Sequence, residues 1–205
     1  VSNMSYIHLT IEKVLRRKGK KPGTQEKRGC FNVKKTIKDR PQEVENRETF
    51  GHWELDTMVS SRGQSKGCLA TFVERKTRFY IAIKMDDRSK DSMFLAISSL
   101  YNTLTSKLLK TFTVDRGKEF ACFEQVETEF GIPMYFADAY AAWQRGSNEN
   151  SNGLLREFFP KKTDLAKVTL DKLTEALVLI NNRPRKCLGF KTPFDMFKHE
   201  IKKLI

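Results

Sequence analysis

Gly51-His-Trp-Glu-Leu-Asp56-Thr-Met-Val-Ser60 alternates side-chain character in the way a first strand does. Two further strand-like runs follow it, Gly67-Cys-Leu-Ala-Thr-Phe-Val73 and, past the turn Arg75-Lys-Thr-Arg78, Phe79-Tyr-Ile-Ala-Ile83. Their short connections predict an antiparallel three-strand meander. Downstream the period changes. Met93, Phe94, Ile97, Leu100, Tyr101 and Leu104 recur at spacings of three and four, predicting a helix from a Ser89 cap to about Ser106. Residues 111–114 read as a fourth strand, and Phe120, Phe123, Val126 and Phe130 as a short helix stopped by Gly131-Ile-Pro133. Residues 134–136 read as a fifth strand. A loop holding Tyr140 and Trp143 leads to a helix over 148–159, which Pro160 ends. Amphipathic helices are expected over 170–181 and 193–204.

The order β-β-β-α-β-α-β-α predicts an α/β protein with a mixed five-stranded sheet flanked by helices. It is the order of the ribonuclease-H-like fold. In that fold two neighbouring central strands carry acids to one sheet edge, and a helix brings a third.

Three acids fall where such a site needs them. Asp56 ends Gly51-His-Trp-Glu-Leu-Asp56. Asp115 opens Asp115-Arg-Gly-Lys-Glu119-Phe120, directly after the apolar run Phe112-Thr-Val114. Glu149 lies in Trp143-Gln-Arg-Gly-Ser-Asn-Glu149-Asn-Ser-Asn-Gly153, with 33 residues between it and Asp115, enough for a helix, a strand and a loop. Converging carboxylates destabilise a fold unless cations neutralise them. Phosphodiester chemistry uses that arrangement, with two Mg²⁺ (or Mn²⁺) ions about 3.5–4 Å apart activating the attacking oxygen and stabilising the leaving one. Such ions take hard oxygen ligands. In the usual arrangement Asp56 bridges both ions, with Asp115 on one and Glu149 on the other. Taken singly, each acid has an ordinary explanation, as a turn cap or as charge at a helix N-terminus.

On a helix Glu149, Asn152, Gly153 and Arg156 share a face, which suits a metal site beside a DNA backbone. Gly153 serves equally well for close helix packing. Glu119 either pairs on the surface with Lys118 or Arg116, or orients the site. Trp53 reads as core rather than base-stacking. Arg145 is the best phosphate contact in its loop. Arg183, Arg185 and Lys186 follow a helix and form a DNA-backbone clamp or a solvated C-cap, the clamp being favoured.

Charge agrees with a polyanionic partner. The 205 residues carry 38 Lys+Arg against 25 Asp+Glu, net +13, with apolar content of 39% and 15 Phe. Residues 1–50 are net +7, residues 161–205 net +6, and residues 51–160 balanced. These charge blocks suggest three parts. Residues 1–50 read as a basic linker or remnant of an N-terminal DNA-binding region, 51–160 as the catalytic core, and 161–205 as basic C-terminal helices packed on it. Within the first part, Ile7, Ile11, Val14 and Leu15 suggest a short helix, Arg16-Arg-Lys-Gly-Lys-Lys21 opens a polar stretch, and Asp39-Arg-Pro41 can cap a helical turn. Cys30, Cys68, Cys122 and Cys187 are scattered without zinc spacing and read as reduced thiols packed as small hydrophobes. No apolar run reaches the roughly 18 residues of a membrane span, and no signal-peptide core opens the chain. The chain starts at Val1 in what reads as mid-domain sequence, so we expect a fragment of a longer protein.

These residues resemble the transposases of the insertion-sequence-30 family, in the DDE superfamily with retroviral-type integrases. The likeness is carried by Asp39-Arg-Pro41, Gly51-His-Trp-Glu54 with Asp56, Glu74-Arg-Lys-Thr-Arg78, Asp115 with Gly117 and Glu119-Phe120, Tyr135-Phe-Ala137, Trp143-Gln-Arg-Gly146, Asn148-Glu-Asn150, Asn152-Gly-Leu154, Phe159-Pro-Lys161, Asn182-Arg-Pro-Arg-Lys186 and Thr192-Pro193. It covers about 39–198. The resemblance implies two divalent metals on Asp56, Asp115 and Glu149, cutting at insertion-sequence ends, and joining of 3′-hydroxyls to target DNA. It further implies a homo-oligomer when active, and a cytoplasmic, nucleoid-associated bacterial setting with no membrane partner. Family members carry N-terminal helix-turn-helix regions that read the element's ends, and this chain begins too late to contain them. It departs from the family pattern at Leu55 (usually Gly), Arg116 (usually Asn) and Ala141-Ala142 (usually Ser-Pro). Leu55 is expected to crowd a neighbour of the metal-bearing strand, and Arg116 to bind DNA or compete with metal for Asp115. Two other functions compete with an active transposase core: a decayed DNA-binding remnant or regulator, and a structure-specific nuclease that transfers only to water.

Overall fold

Five strands form one sheet in the computed structural model: β1 (His52–Val59), β2 (Cys68–Glu74), β3 (Tyr80–Met85), β4 (Thr111–Val114) and β5 (Met134–Phe136), in the spatial order β3-β2-β1-β4-β5. The first three are antiparallel neighbours, and β4 and β5 run parallel to β1. The meander and the mixed sheet expected from the sequence are therefore both present. The structure describes residues 33–61, 63, 65–139 and 141–204, with the backbone alone at Ala142. The helix expected near Ile7 to Leu15 and the polar stretch after Arg16 lie outside the described residues.

Six helices are described: α1 (Gln42–Asn46), α2 (Lys90–Thr103), α3 (Phe123–Phe130), α4 (Gly146–Phe158), α5 (Leu170–Asn181) and α6 (Pro193–Lys202). Their ends follow local chemistry. Ser89 accepts the Ser92 N–H and starts α2, and Thr169 and Thr192 cap α5 and α6 in the same way. Gly131, at φ +68°, stops α3 in the left-handed conformation that favours glycine. Asp39 reaches back to the Thr36 N–H at 2.7 Å and closes a single turn before Pro41 and α1.

The sheet has an apolar cluster on each face. On one side Trp53, Leu55, Phe72, Phe112 and Phe136 meet Met93, Ile97 and Leu100 of α2, Val126 of α3 and Phe197 of α6. Trp53 is fully buried and donates its indole N–H to the Leu108 carbonyl at 2.9 Å, so it is a core residue. On the other side Met58, Leu69, Val73 and Tyr80 meet Leu155 of α4 with Leu173, Ala176 and Ile180 of α5. All seven β2 residues are buried, as in a strand covered on both faces. Burying each large apolar side chain contributes about 1.5–3 kcal/mol.

Both ends of the described chain join these clusters. Phe197 stacks on Phe79 at 4.1 Å, edge-on to Trp53 and Phe50. Residues 33–36 run along the outer edge of β5, where the Lys35 carbonyl accepts the Phe136 N–H. Cys68 and Cys122 are buried thiols pushed up to about 12 by desolvation, consistent with packing rather than reactivity.

Candidate active site

Parallel pairing of β1 and β4 sets Glu54 beside Thr113. Two residues on, that register brings Asp56 level with Asp115, on strands ~4.8 Å apart. The period of two sends Trp53 and Leu55 into the core under α2, and Glu54, Asp56 and Met58 toward α4.

Helix α4 is fastened over that edge by its first turn. Asn148 is fully buried. Its backbone N–H donates to Glu54 Oε2 at 2.9 Å, its amide donates to the Glu54 carbonyl at 3.0 Å, and its Oδ1 accepts the Thr71 hydroxyl. Glu54 is held in turn by the buried Arg75 guanidinium, whose Nε donates to the Val44 carbonyl. Arg78 adds a bond to the Ser147 hydroxyl at 3.2 Å. Helix α4 thus starts at Gly146, two residues before the sequence-based expectation, because tertiary contacts hold Ser147 and Asn148 where local propensity does not.

Asp56 and Asp115 share one cation. Arg145 Nη1 lies 3.5 Å from Asp56 Oδ1, and its Nη2 donates to Asp115 Oδ2 at 3.2 Å. A further Arg145 N–H reaches the Leu55 carbonyl at 3.3 Å. Asp56 Oδ1 also accepts the Thr57 N–H at 2.8 Å, and its Oδ2 accepts the Asn152 amide at 3.1 Å. The Tyr80 hydroxyl donates to Asn152 Oδ1 at 2.7 Å and fixes the direction of that amide. Burial pushes the Asp56 carboxyl above its ordinary value; Arg145 and the Thr57 N–H oppose the rise, while Asp115 and Glu119 add to it. Asp115 Oδ1 accepts the Gly117 N–H at 2.8 Å.

Glu149 stands on the first turn of α4, exposed, three residues before the Asn152 that touches Asp56. Among the described residues no three His, Cys, Asp or Glu side chains gather closely enough to hold one ion. The structure therefore joins Asp56 to Asp115 and leaves Glu149 on the adjoining helical turn. A third carboxylate has no electrostatic reason to close on the other two without a further positive charge. The donor set still fits a divalent cation: hard oxygens from two carboxylates that share one guanidinium, and a third acid on the facing helix.

A fourth acid lies behind the pair. Glu119 is 1% exposed, accepts the Thr57 hydroxyl at 3.0 Å and pairs with Arg88 at 2.6 Å. Sequence reasoning divided between a surface and an orienting place for it; the structure puts it inside, next to the residue that follows Asp56. Gly117 permits this, since a Cβ there would meet the Glu119 carboxylate at 2.5 Å. The sequence signal was present in the short Asp-x-Gly-x-Glu spacing. In the sequence Glu54 and Arg75 stand out only through the family likeness and a turn, although an acid two residues before Asp56 in an apolar strand must share its face.

The basic candidates divide. Arg156 donates to the Val59 carbonyl at 2.9 Å, tying α4 to the end of β1. Arg185 donates to the Ile180 carbonyl at the end of α5, a C-cap contact, and Arg183 pairs with Glu157 of α4 on the surface. Lys186 is exposed. Trp143 is 76% exposed, two residues before Arg145. Gly153 is exposed, and a Cβ there would meet nothing, so close helix packing does not explain it. Leu55 is buried in the apolar cluster under α2, on the opposite face from Asp56, so its side chain does not enter the acidic site. Arg116 is half-buried and, among the described residues, makes no ion pair; Arg145 is the cation on Asp115.

Comparison with known proteins agrees with this fold. The family described as "Integrase core domain" matches residues 46–142. The transposase InsI of insertion sequence element IS30A from Escherichia coli K12 is 38% identical over 200 residues, which is 95% of this chain and 51% of the relative. The chain thus spans about half the length of that curated relative. Among solved structures, the catalytic core of BIV integrase superposes with a TM-score of 0.59 at 19% identity, covering 77% of this chain and all of that one. The HTLV-2 integrase catalytic core, solved in complex with magnesium in a trimeric form, gives 0.54 at 18% identity, covering 71% of this chain and 95% of that one. The two integrase cores share its mixed sheet with flanking helices, the ribonuclease-H-like fold. By sequence, the chain belongs to the integrase-core transposases of the insertion-sequence-30 family.

Proposed function

We propose that this chain is the catalytic core of a DNA transposase, cutting insertion-sequence ends and transferring 3′-hydroxyl strands into target DNA with divalent metal. The observation that carries the reading is the pairing of Asp56 with Asp115 across β1 and β4, beneath the α4 turn that bears Glu149. Asp56, Asp115 and Glu149 would hold two Mg²⁺ or Mn²⁺ ions. When bound, such ions activate the attacking oxygen and stabilise the leaving one.

The chain's own residues do the remaining work. Asn152 holds one oxygen of Asp56, and Tyr80 holds Asn152. Glu119 fixes Thr57 at the next position of β1. Buried Glu54 and Asn148 keep α4 at a set distance from the sheet, so Glu149 approaches from one direction. Arg145, Asn152, Arg156, Arg183, Arg185 and Lys186 lie on or beside α4 and at the end of α5, and would contact the phosphate backbone. The basic flanks supply sequence-independent affinity. The active form would be a homo-oligomer on DNA in the bacterial cytoplasm. No described helix is long and apolar enough to cross a membrane.

A branched DNA that mimics the strand-transfer product tests this reading, because it needs no end-reading region. The wild-type chain is expected to break and rejoin strands with Mn²⁺ or Mg²⁺, and Asp56→Asn and Asp115→Asn to do neither. Breakage without joining would make the chain a nuclease. Metal-independent DNA binding alone would make it a remnant.

A further inference from the structure

The guanidinium of Arg145 stands between the two carboxylates that a metal ion would bridge. It touches Asp56 and Asp115 together, its side chain is only 14% exposed, and its Nε is buried without a partner. Arg145 sits in the single turn Ala142–Arg145 directly before Gly146, on a segment that also presents the exposed Trp143 outward. One guanidinium shared by two carboxylates neutralises half of their charge and occupies an oxygen of each. An arriving dication must therefore compete with that guanidinium for the same oxygens. A displaced arginine at the mouth of the site meets whatever anion is there, and a phosphodiester takes both its N–H groups.

We infer that Arg145 couples metal binding to DNA binding: it occupies the aspartate pair in the DNA-free chain and moves to a DNA phosphate when the substrate arrives, opening the pair to metal. This rests on the proposed metal-dependent function. Thermodynamic reciprocity then applies, and DNA raises metal affinity by the same factor by which metal raises DNA affinity. Without DNA the site stays closed by its own cation, which limits idle metal loading and unspecific cutting.

The test is Mn²⁺ binding followed by electron paramagnetic resonance of the free ion. It is run with and without a short DNA duplex, after subtracting the duplex's own Mn²⁺ uptake, on wild type, Arg145→Gln and Arg145→Lys. Thermal melting without metal checks that each variant folds. In wild type, DNA should tighten Mn²⁺ binding. In DNA-free Arg145→Gln, Mn²⁺ should already bind about tenfold tighter than in wild type, and DNA should add less than it does to wild type. Arg145→Lys, a single point charge that cannot fork across two carboxylates, should fall between them. Coupling that persists because phosphate itself binds the ion would remain in all three proteins, so the difference between them isolates Arg145. Equal Mn²⁺ affinity in DNA-free wild type and a folded Arg145→Gln overturns the inference while leaving the metal-dependent function intact. Failure of every protein to bind Mn²⁺, with and without DNA, overturns both.

Discussion

Asn152 Nδ2 donates to Asp56 Oδ2 at 3.1 Å, so the helix that carries Glu149 and the strand that carries Asp56 are joined by a hydrogen bond within the candidate site. Asn152→Leu keeps the side-chain size and removes the bond. It is expected to lower strand joining about 10- to 100-fold, the usual range for a residue that orients a ligand. Asn152→Asp should be worse, since it sets a like charge against Asp56. Joining assays on branched DNA, with circular dichroism to confirm folding, check both.

Glu119→Gln should weaken its ties to Arg88 and Thr57 without touching a reacting group. The expected loss is about tenfold in turnover, with DNA affinity unchanged. Thr57→Val removes the same hydrogen bond from the donor side and should give a similar loss. A double variant no worse than either single one would show that the two residues act as one unit.

Gly153 lies inside α4 facing open space. Gly153→Ala should therefore stabilise the fold by about 0.5–1 kcal/mol, the ordinary gain of alanine over glycine in a helix. If the bare backbone there serves close approach of DNA, the same variant loses DNA affinity. Higher melting temperature with weaker binding is the expected pair of results, and unchanged binding would show that glycine is not needed for contact.

Breaking the Glu54–Arg75 pair should cost far more. Both side chains are buried, and Glu54 also holds the start of α4. Glu54→Ala strands the Arg75 charge and is expected to cost about 3–5 kcal/mol in chemical denaturation. A variant that melts like wild type would mean that this network does not anchor α4.

His52 gives the fold a pH dependence. It is buried, its Nδ1 lies 2.8 Å from the Thr111 hydroxyl, and desolvation brings its pKa down to about 4, against a partial pull upward from Glu43. A lowered histidine pKa means that the unfolded chain binds the proton first. Above about 6.5 the group contributes nothing, and stability falls as pH drops from there toward 4, by on the order of 3 kcal/mol. Denaturant unfolding between those pH values should show this slope in wild type and a flatter one in His52→Gln.

Local signals were enough for much of the architecture. Strands β4 and β5 and helix α5 occupy the positions that their apolar runs, Gly131-Ile-Pro133 and the Thr169 cap mark out. Asp115 is legible because an acid directly after a short apolar strand is a local pattern, whereas Asp56, expected at the close of a strand-like run, lies inside β1, which continues to Val59. Arg145 was readable as a basic residue near the site but not as the partner of both aspartates, since that pairing depends on how α4 lands across the sheet. The helix expected from Asn148 begins at Gly146 for the same reason: its first turn is fastened through Ser147 and Asn148 to Arg78, Glu54 and Thr71, residues distant in sequence. Leu55 departs from the family pattern, and the strand's own period of two already directs it into the core and away from Asp56.

Phe197 has a consequence for how copies of such a gene decay. The aromatic ring of α6 stacks on Phe79 and abuts Trp53 and Phe50, so it closes the apolar cluster beneath the strand that carries Asp56. A premature stop codon between Glu149 and this helix would leave all three acids encoded and yet open the base of the sheet to water. Intact acidic codons are thus a poor sign of a working copy, and the reading frame must be followed through to Phe197 before one is counted as competent.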